Sequence, residues 1–381
     1  MADAFIINGL RTLIGLKNKA YKNIPTEDLA GEVLKELKLQ NSALGINAQM
    51  VIAGNCTSGG GNLARLALLK AGLGDDIPGI TIDAQCASGL ESIMTGFARI
   101  KSGLNSVVIC GGAESASTCC VRSYNKNHPN HDPGKADNSY VSAQFIPETF
   151  CEDSMIMSAD ETCRKHGFTT EDLIAPAVES HEKAAESADI IRALAIPVFG
   201  LEKDEGIRNS ISKKFIERLA PVLPDGIINA ATSCLFNDGA AFVTIADETT
   251  AKKSDGPLFK IRDAVTVGGP RFLSPECMII AMEKLIEKSE VNESEIDRID
   301  YNQAFACLDL LYKKRFSKPS NAFGGALAYG HPYGASGAIV VLHLMKALEH
   351  FDEHYGIAAV PAAGGIAGAI LLERIKGNIC I

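Results

Sequence analysis

The sequence lacks the features that mark secreted, membrane-spanning or zinc-binding proteins. None of its 11 cysteines forms a Cys-x-x-Cys pair, so neither a zinc site nor a disulfide framework is indicated, and no metal site is predicted. No apolar run reaches the length of a transmembrane helix. The opening stretch "MADAFIINGLRT" reads as a strand and a turn, without the basic start or cleavage site of a signal peptide. We therefore expect reduced thiols and a cytoplasmic location.

A basic surface is also missing. The formal net charge is −9 and the sequence pI is about 5.5, which argues against nucleic acid or an anionic membrane as a partner, since both reward a basic face. A small anionic ligand is still compatible, because a few local lysines and arginines can hold a phosphate. The length of 381 residues, 46% of them hydrophobic, predicts two domains or one duplicated domain.

Strand-like and helix-like segments alternate along the chain, which predicts a mostly parallel sheet with helices on both faces. The alternation stops after Glu114 and resumes at "AFVTIAD"; the stretch between them reads as a long insertion. The order Ser-Gly, helix, strand, Gly-Gly occurs twice, starting at "CASGLESI" and at "GASGAIVV". Two related halves would explain this repeat, and so would chance, because Ala-Ser-Gly before a helix is common.

A single cysteine stands between a strand and a helix in "TIDAQCASGLESI", residues 81–93. At a helix N-terminus the free N–H groups and the positive end of the dipole favour a thiolate, so we expect the pKa of Cys86 to be lowered. The small residues after it would let a substrate reach the sulfur. Cys86 is accordingly a candidate nucleophile, although a buried structural cysteine is the commoner case.

Three further segments contain candidate polar groups. His331 lies in the glycine-rich "GGALAYGHPYGASGA", where it can exchange a proton with a thiol, or simply be satisfied within a tight turn. Asn302 follows the strand-like "RIDY" and can hold a carbonyl oxygen or a water, or form an Asx turn. Gly364 and Gly365 follow "GIAAV", where backbone N–H groups can line an oxyanion site or make a turn.

Together these segments resemble the thiolases, CoA-dependent enzymes that make or break β-ketoacyl thioesters. The family's Cys-x-Ser-Gly motif is matched at Cys86, and its Gly-His-Pro-x-Gly-Ala-Ser motif is present as "GHPYGAS" around His331. Its Asn-Glu-Ala-Phe motif appears as "NQAF", with Gln303 in place of glutamate. The resemblance extends over nearly the whole chain.

One family motif is altered at its key position. Thiolases end with Cys-x-Gly-Gly-Gly, whose cysteine moves the α-proton of the second acyl-CoA. The corresponding residues are read here as Ala362 to Ile366, so that Ala362 replaces the second cysteine. Cys307 and Cys380 are the nearest other thiols, and neither occupies the family position; a substitute role for Cys307 is a hypothesis only.

The resemblance also places the CoA site. "DSMIMSADE" aligns with a CoA-contacting segment, with Ser154 for a histidine and Met155 retained; Arg208 stands where thiolases have an arginine near the CoA nucleotide. Cys234 takes the place of a serine that contacts pantetheine, and the adjacent Ser233 is a possible substitute. Alternatively, Arg208 is a solvated surface charge, and Ser154 and Cys234 serve only in packing.

By resemblance the fold is a duplicated βαβαβαββ core in five αβαβα layers with an inserted CoA-binding loop domain. The implied halves are residues 1–115 plus 231–250 and residues 251–381, with the loop domain at 116–230. Thiolases are dimers or tetramers, so a homo-oligomer is expected.

The implied reaction is reversible thiolytic cleavage or Claisen condensation of a β-ketoacyl-CoA through acyl-Cys86. One oxyanion site would comprise His331 and a water on Asn302, and the other the N–H groups of Cys86 and Gly364. CoA and acyl-CoA are then substrates, and no permanent cofactor is expected. Two alternatives remain: acyl transfer or hydrolysis without Claisen chemistry, and a decayed CoA-binding protein. The sequence leaves the acyl chain length and the direction of reaction open.

Overall fold

The computed structural model describes residues 2–140, 144–147 and 154–376. The first part of the chain forms strands and helices in alternation: β1 (Ala4–Thr12), β2 (Gly15–Leu16), α1 (Thr26–Ala43), β3 (Val51–Gly54), α2 (Leu63–Lys70), β4 (Gly79–Ile82), α3 (Ser88–Lys101) and β5 (Val107–Glu114). The next part has mainly short elements: β6 (Arg122–Ser123), β7 (Ser139–Tyr140), α4 (Ser154–His166), α5 (Ile174–Glu186), α6 (Ala188–Arg192), β8 (Ala195–Ile196) and α7 (Lys213–Ile216).

The remaining part returns to the alternating pattern, with a single 3-10 turn at Glu293–Glu295. Its elements are β9 (Asn237–Asp247), α8 (Glu248–Ala251), β10 (Leu258–Gly268), α9 (Glu276–Lys288), β11 (Arg298–Tyr301), α10 (Cys307–Arg315), α11 (Ala326–Tyr329), α12 (Tyr333–His350), β12 (Tyr355–Ala362) and β13 (Ile366–Ile375). Within the three described ranges, no helix is both long enough and apolar enough to cross a bilayer.

The main sheet runs β11-β12-β13-β10-β1-β9-β5-β3-β4. The expectation of a mostly parallel sheet is wrong. β3 pairs in parallel with β4 and β5, and β11 with β12, but the long strands β1, β9, β10 and β13 pair antiparallel. For β12 and β13 the reason is local, because a tight turn rather than a helix joins them, and a tight turn reverses the strand direction.

The sheet consists of two halves with the same strand order. The order β3-β5-β9-β1 in the first half corresponds to β11-β12-β13-β10 in the second, and only two residue pairs of β1 and β10 join them. This match supports the reading of the sequence repeat as two related halves. The domain boundaries at residues 115, 230 and 250 remain predictions.

Helices α3 and α12 form the middle layer between the two half-sheets. In α12, 14 of the 18 residues are buried, which distinguishes a central helix from one with a solvent face. The two helices approach closely near their N-termini, because a Cβ on Gly89 would lie 2.6 Å from the carbonyl oxygen of Gly334. With α1 and α2 outside one half and α9 and α10 outside the other, the layers follow the predicted αβαβα order. The N-termini of both central helices meet at one place.

Candidate active site

The loop from β4 to α3 holds Cys86 in a defined position. Gln85, the residue before it, has φ of +53°, a left-handed conformation that is uncommon for a residue with a side chain. The hydroxyl of Ser88 accepts a hydrogen bond from the Ala84 N–H at 2.8 Å and donates one to the Gln85 carbonyl at 2.6 Å. These bonds hold the strained turn in place just before α3.

The sulfur of Cys86 lies among backbone donors, yet its thiol is not acidified. Burial raises the pKa of Cys86 to about 12, and this outweighs the hydrogen bonds that its own N–H and the Ala363 N–H donate to the sulfur. The expected lowering of the pKa by the helix N-terminus is therefore wrong for the resting state. Cys86 rests as a neutral thiol and needs a base to become a nucleophile.

His331 is held at the start of α12 by backbone and side-chain contacts. Its N–H donates to the Leu235 carbonyl at 2.9 Å, and Gly330 before it has φ of +97° with no room for a Cβ beside Asn237. The Nδ1 atom lies 2.6 Å from the hydroxyl of Ser336, which itself donates to the Pro332 carbonyl at 2.9 Å. Because the Ser336 hydroxyl donates its only proton to the Pro332 carbonyl, it must accept a hydrogen bond from Nδ1. Nδ1 therefore carries the imidazole proton, and Nε2 carries the lone pair.

Asn302 completes the polar group from the other half-sheet. It follows β11, is buried, and its amide Nδ2 lies 3.2 Å from Nε2 of His331. Burial lowers the pKa of His331 to about 3, so the imidazole is neutral at physiological pH. The arrangement is a neutral thiol and a neutral, oriented base in one buried site, which suits proton transfer coupled to nucleophilic attack.

Cys86 and His331 open into the same cavity, of about 190 Å³. Its walls are mainly apolar and come from both halves and from the inserted segment: Cys56, Thr57, Gln85, Cys86, Arg122, Phe145, Met155, Ile156, Ser233, Cys234, Pro275, Ala304, Phe305, Leu308, His331, Tyr333, Pro361 and Ala363. Five of the eight predicted site residues are among them. Asn302 reaches the cavity only through its contact with His331.

Comparison with known proteins agrees with this geometry. Residues 4–249 match the family model "Thiolase, N-terminal domain" and residues 256–374 match "Thiolase, C-terminal domain". The chain belongs to the thiolase family. The duplicated five-layer fold predicted from the sequence is thereby confirmed, and the protein is an acyltransferase.

Individual relatives cover the chain almost completely. The "Putative acetyl-CoA C-acetyltransferase VraB" of Staphylococcus aureus (strain MRSA252) is 33% identical over 98% of this chain and 100% of its own length. The protein of the same name from Staphylococcus haemolyticus is 32% identical, over 98% of this chain and 99% of its own. A crystal structure of the Bacillus anthracis acetyl-CoA acetyltransferase superposes with a TM-score of 0.91 at 27% identity, covering 98% of this chain and 99% of that one.

The turn after β12 differs in detail from the assignment made on the sequence. Pro361 and Ala363 line the cavity, whereas Ala362 is fully buried on the opposite side of the strand. The N–H that bonds to the Cys86 sulfur belongs to Ala363. Gly364 has φ of +82°, and a Cβ at this position would lie 2.9 Å from the carbonyl oxygen of Phe145 in the inserted segment. The role of Gly364 as an oxyanion donor stays a prediction, and the neighbouring Ala363 is a further candidate, because its N–H reaches the sulfur.

Cys307 does not lie in the active-site cavity of this thiolase. It is fully buried in the layer of helices outside the second half-sheet, and its thiol is hydrogen-bonded to that of Cys163. A thiol held there cannot reach a substrate on Cys86, so the structure contradicts a substitute role for Cys307. Cys380 lies outside the described residues.

The predicted CoA-binding residues divide between two neighbouring cavities. Met155 and Cys234 line the cavity of Cys86, while Arg208 lines a second cavity of about 130 Å³; Ser233 lines both. The Arg208 N–H donates to Nδ1 of buried His181 at 3.1 Å. Ser154, by contrast, lines a different cleft. The cationic side chain of Arg208 therefore lies on the cavity next to that of Cys86, and Ser233 is shared by both.

Glu114 is a site residue that sequence reasoning did not select. Its fully buried carboxylate accepts hydrogen bonds from the Asn55 amide at 2.8 Å, the Cys56 N–H at 3.0 Å, Thr57 N–H and hydroxyl at 3.1 and 2.7 Å, and the Gly334 N–H at 3.1 Å. Burial raises its pKa despite these bonds. It ties the loop after β3 to the first turn of α12. The sequence did contain a signal for this residue, because Glu114 is an acidic residue at the end of the otherwise apolar strand β5.

Replacing Glu114 with glutamine is expected to destabilise the protein. Each carboxylate oxygen accepts at least two of these bonds, so an NH₂ group in place of either oxygen leaves two buried donors unpaired, at about 1–3 kcal/mol each. Urea unfolding of Glu114→Gln measures the loss, with exposed Glu182→Gln as the matched control. Equal stability of the two variants would contradict the anchoring role.

Proposed function

We propose that this thiolase-family protein is an acyl-CoA C-acyltransferase that cleaves or forms a β-ketoacyl-CoA through an acyl group on Cys86. The observation that carries the proposal is the meeting of Cys86 and His331, at the N-termini of the two central helices, on one apolar cavity. The names of the relatives, acetyl-CoA C-acetyltransferase and acetyl-CoA acetyltransferase, support a short acyl chain.

In the cleavage direction, Cys86 attacks the keto carbon while its proton passes to Nε2 of His331. The neutral ground state of both groups means that charge appears only as the reaction proceeds, which avoids a permanently ionised thiol in an apolar cavity. Ser336 keeps Nδ1 protonated and so keeps Nε2 available as the base. The Asn302 amide, now 3.2 Å from Nε2, can turn its oxygen toward the imidazolium that forms.

Two backbone donors are placed for the oxyanion of the thioester step. The N–H groups of Cys86 and Ala363 converge on the sulfur in the resting site, and the same pair can donate to the carbonyl oxygen of an acyl group on that sulfur. We propose Ala363, rather than Gly364, as the second donor.

The CoA substrate would extend from Cys86 past Ser233 into the second cavity. Arg208 there can pair with a phosphate of the nucleotide, which fits the anionic ligand that an acidic protein accommodates with a few local cations. Met155 and Cys234 would contact the pantetheine arm along the shared wall.

The missing second cysteine is better assigned to Pro361 than to Ala362. Side chains alternate between the two faces of a strand, and at the end of β12 the cavity face carries Pro361 and Ala363. Neither Pro361 nor Ala362 can carry a proton. This favours a second candidate function, transfer of an acyl group from Cys86 without carbon–carbon chemistry.

We also propose that the enzyme works in the cytoplasm as a homodimer or homotetramer, as the family resemblance implies. The nine cysteines in the described part of the chain are all free thiols, which supports a reducing compartment.

Two measurements on the wild-type enzyme test the proposal. Incubation with acetyl-CoA followed by peptide mass spectrometry is expected to place an acetyl group on Cys86, and acetoacetyl-CoA with CoA is expected to yield acetyl-CoA. Acetylation without cleavage would favour the second candidate. Absence of acetyl-Cys86 would overturn both candidate functions. The control protein is Cys119→Ser, which removes a thiol of the inserted segment outside this cavity.

A further inference from the structure

Tyr333 is a polar residue of the active-site cavity for which the proposed reaction has no role so far. It occupies the variable position of the "GHPYGAS" motif and is the first residue of α12. Its ring stacks on Phe236, with centroids 4.2 Å apart and an interplanar angle of 6°, and meets the ring of His331 edge-on at 4.7 Å. These two contacts fix the direction of the phenol.

The hydroxyl of Tyr333 is unused within the protein. It makes no hydrogen bond with any residue of the described ranges, although the residue lines the cavity that contains Cys86 and Cys234. Tyr333 is half-buried, and a hydroxyl on the cavity wall without a protein partner is free to donate to, or accept from, a bound substrate.

The other proton carriers in the cavity are already engaged. Cys56 donates from its thiol to the Gln85 carbonyl at 3.1 Å, and His331 serves Cys86. Cys307 points elsewhere, and Pro361 has no exchangeable proton. Tyr333 and Cys234 remain.

We propose that Tyr333 is the acid–base group that transfers the α-proton in place of the family's second cysteine; this rests on the proposed function above. During cleavage the Cα–Cβ bond breaks, and its electron pair forms a C–H bond with the phenol proton. The phenolate then takes the thiol proton of incoming CoA as that sulfur attacks the acyl group. Cys86 leaves as a thiolate and regains its proton from His331. Both groups return to their starting state.

Burial raises the pKa of Tyr333 well above its ordinary value. A weakly acidic phenol is still a far stronger acid than the α-carbon of a thioester, so proton donation to the enolate is favourable, and the phenolate that remains is strong enough as a base to accept the CoA thiol proton.

The test separates acylation from α-proton transfer. In D₂O, acetyl-CoA is incubated with wild type and Tyr333→Phe, and loss of the methyl proton signal is followed by NMR alongside acetylation of Cys86. We expect Tyr333→Phe to lose exchange by roughly 10²–10⁴-fold, the usual contribution of a positioned acid–base group. Acetylation of Cys86 should fall less, because CoA can leave as a thiolate without the phenol proton, whereas the α-carbon cannot exchange without a base. Phenylalanine preserves the stacking on Phe236, and Tyr140→Phe, at a half-buried tyrosine outside this cavity, is the matched control.

Three results would overturn the proposal: unchanged exchange in Tyr333→Phe, loss of exchange in Cys234→Ala instead, or an equal fall in acetylation and exchange. Fluorotyrosine at position 333 provides a second readout, since a more acidic phenol should move the pH profile of exchange downward, which a purely structural ring would not do. Wild type that fails to acetylate Cys86 refutes the proposed function and this proposal with it.

Discussion

Cys86→Ala is expected to abolish CoA-dependent cleavage of acetoacetyl-CoA, with a loss of roughly 10⁶-fold in kcat, the scale seen when a catalytic nucleophile is removed. The reason is that the acyl group is carried by the Cys86 sulfur, on which the N–H groups of Cys86 and Ala363 converge. His331 can take a proton but its Nε2 faces Asn302, and Cys56 is engaged with the Gln85 carbonyl. Steady-state thiolysis, followed by the absorbance of the β-ketoacyl thioester, measures the effect.

The matched control for this variant is Cys307→Ala. The thiol of Cys307 is hydrogen-bonded to that of Cys163, away from the active-site cavity. Turnover of this variant should therefore stay close to wild type. Residual activity of Cys86→Ala within tenfold of wild type would contradict a covalent mechanism at this sulfur. Loss of turnover in a folded Cys307→Ala would revive the hypothesis that this residue substitutes for the family's second cysteine.

Asp204→Ala is expected to cost about 3–5 kcal/mol of unfolding free energy, because it leaves a buried cation without a partner. The guanidinium of Arg11 is fully buried and pairs with both oxygens of Asp204, each at 2.8 Å. The same carboxylate accepts the Ile14 N–H at 2.8 Å. The pair fastens β1 to the inserted segment just before Arg208. Denaturant unfolding of the two proteins at pH 7 gives the difference.

The pH dependence of this effect follows from the ion pair. Burial alone would raise the pKa of Asp204, but the charge of Arg11 and its hydrogen bonds hold the pKa below its ordinary value of 3.8. A lowered pKa in the folded state gives stability that is complete above pH 3.8 and declines as the pH falls further. The difference between wild type and Asp204→Ala should therefore shrink at strongly acidic pH.

The control is Asp352→Ala, which removes a well-exposed carboxylate that pairs with Arg374 and Lys376. Solvent-exposed ion pairs contribute little, so this variant should unfold at nearly the wild-type denaturant concentration. If Asp204→Ala did the same, the buried pair would not be what holds the inserted segment to β1.

The sequence by itself determined the family, the duplicated fold and most of the active site. Motifs such as "GHPYGAS" combine local backbone requirements with chemistry: Gly330 must adopt positive φ, and Ser336 follows His331 by five residues and bonds to its imidazole. Such features depend on residues close together in the chain, and they are readable without a structure. Cys86 and His331 were therefore selected as candidates from the sequence, and the structure places both on one cavity.

Only the tertiary structure decided what each group faces and how strongly it is buried. The pKa of Cys86 rises because segments distant in sequence exclude water from it, whereas the helix N-terminus alone predicted the opposite. Ala362 and Pro361 differ by one residue yet lie on opposite faces of β12. In the sequence Tyr333 occupies the variable position of a motif, whereas in the fold it lines the same cavity as Cys86. Burial and side-chain direction are set by contacts between distant segments, so a linear pattern does not contain them.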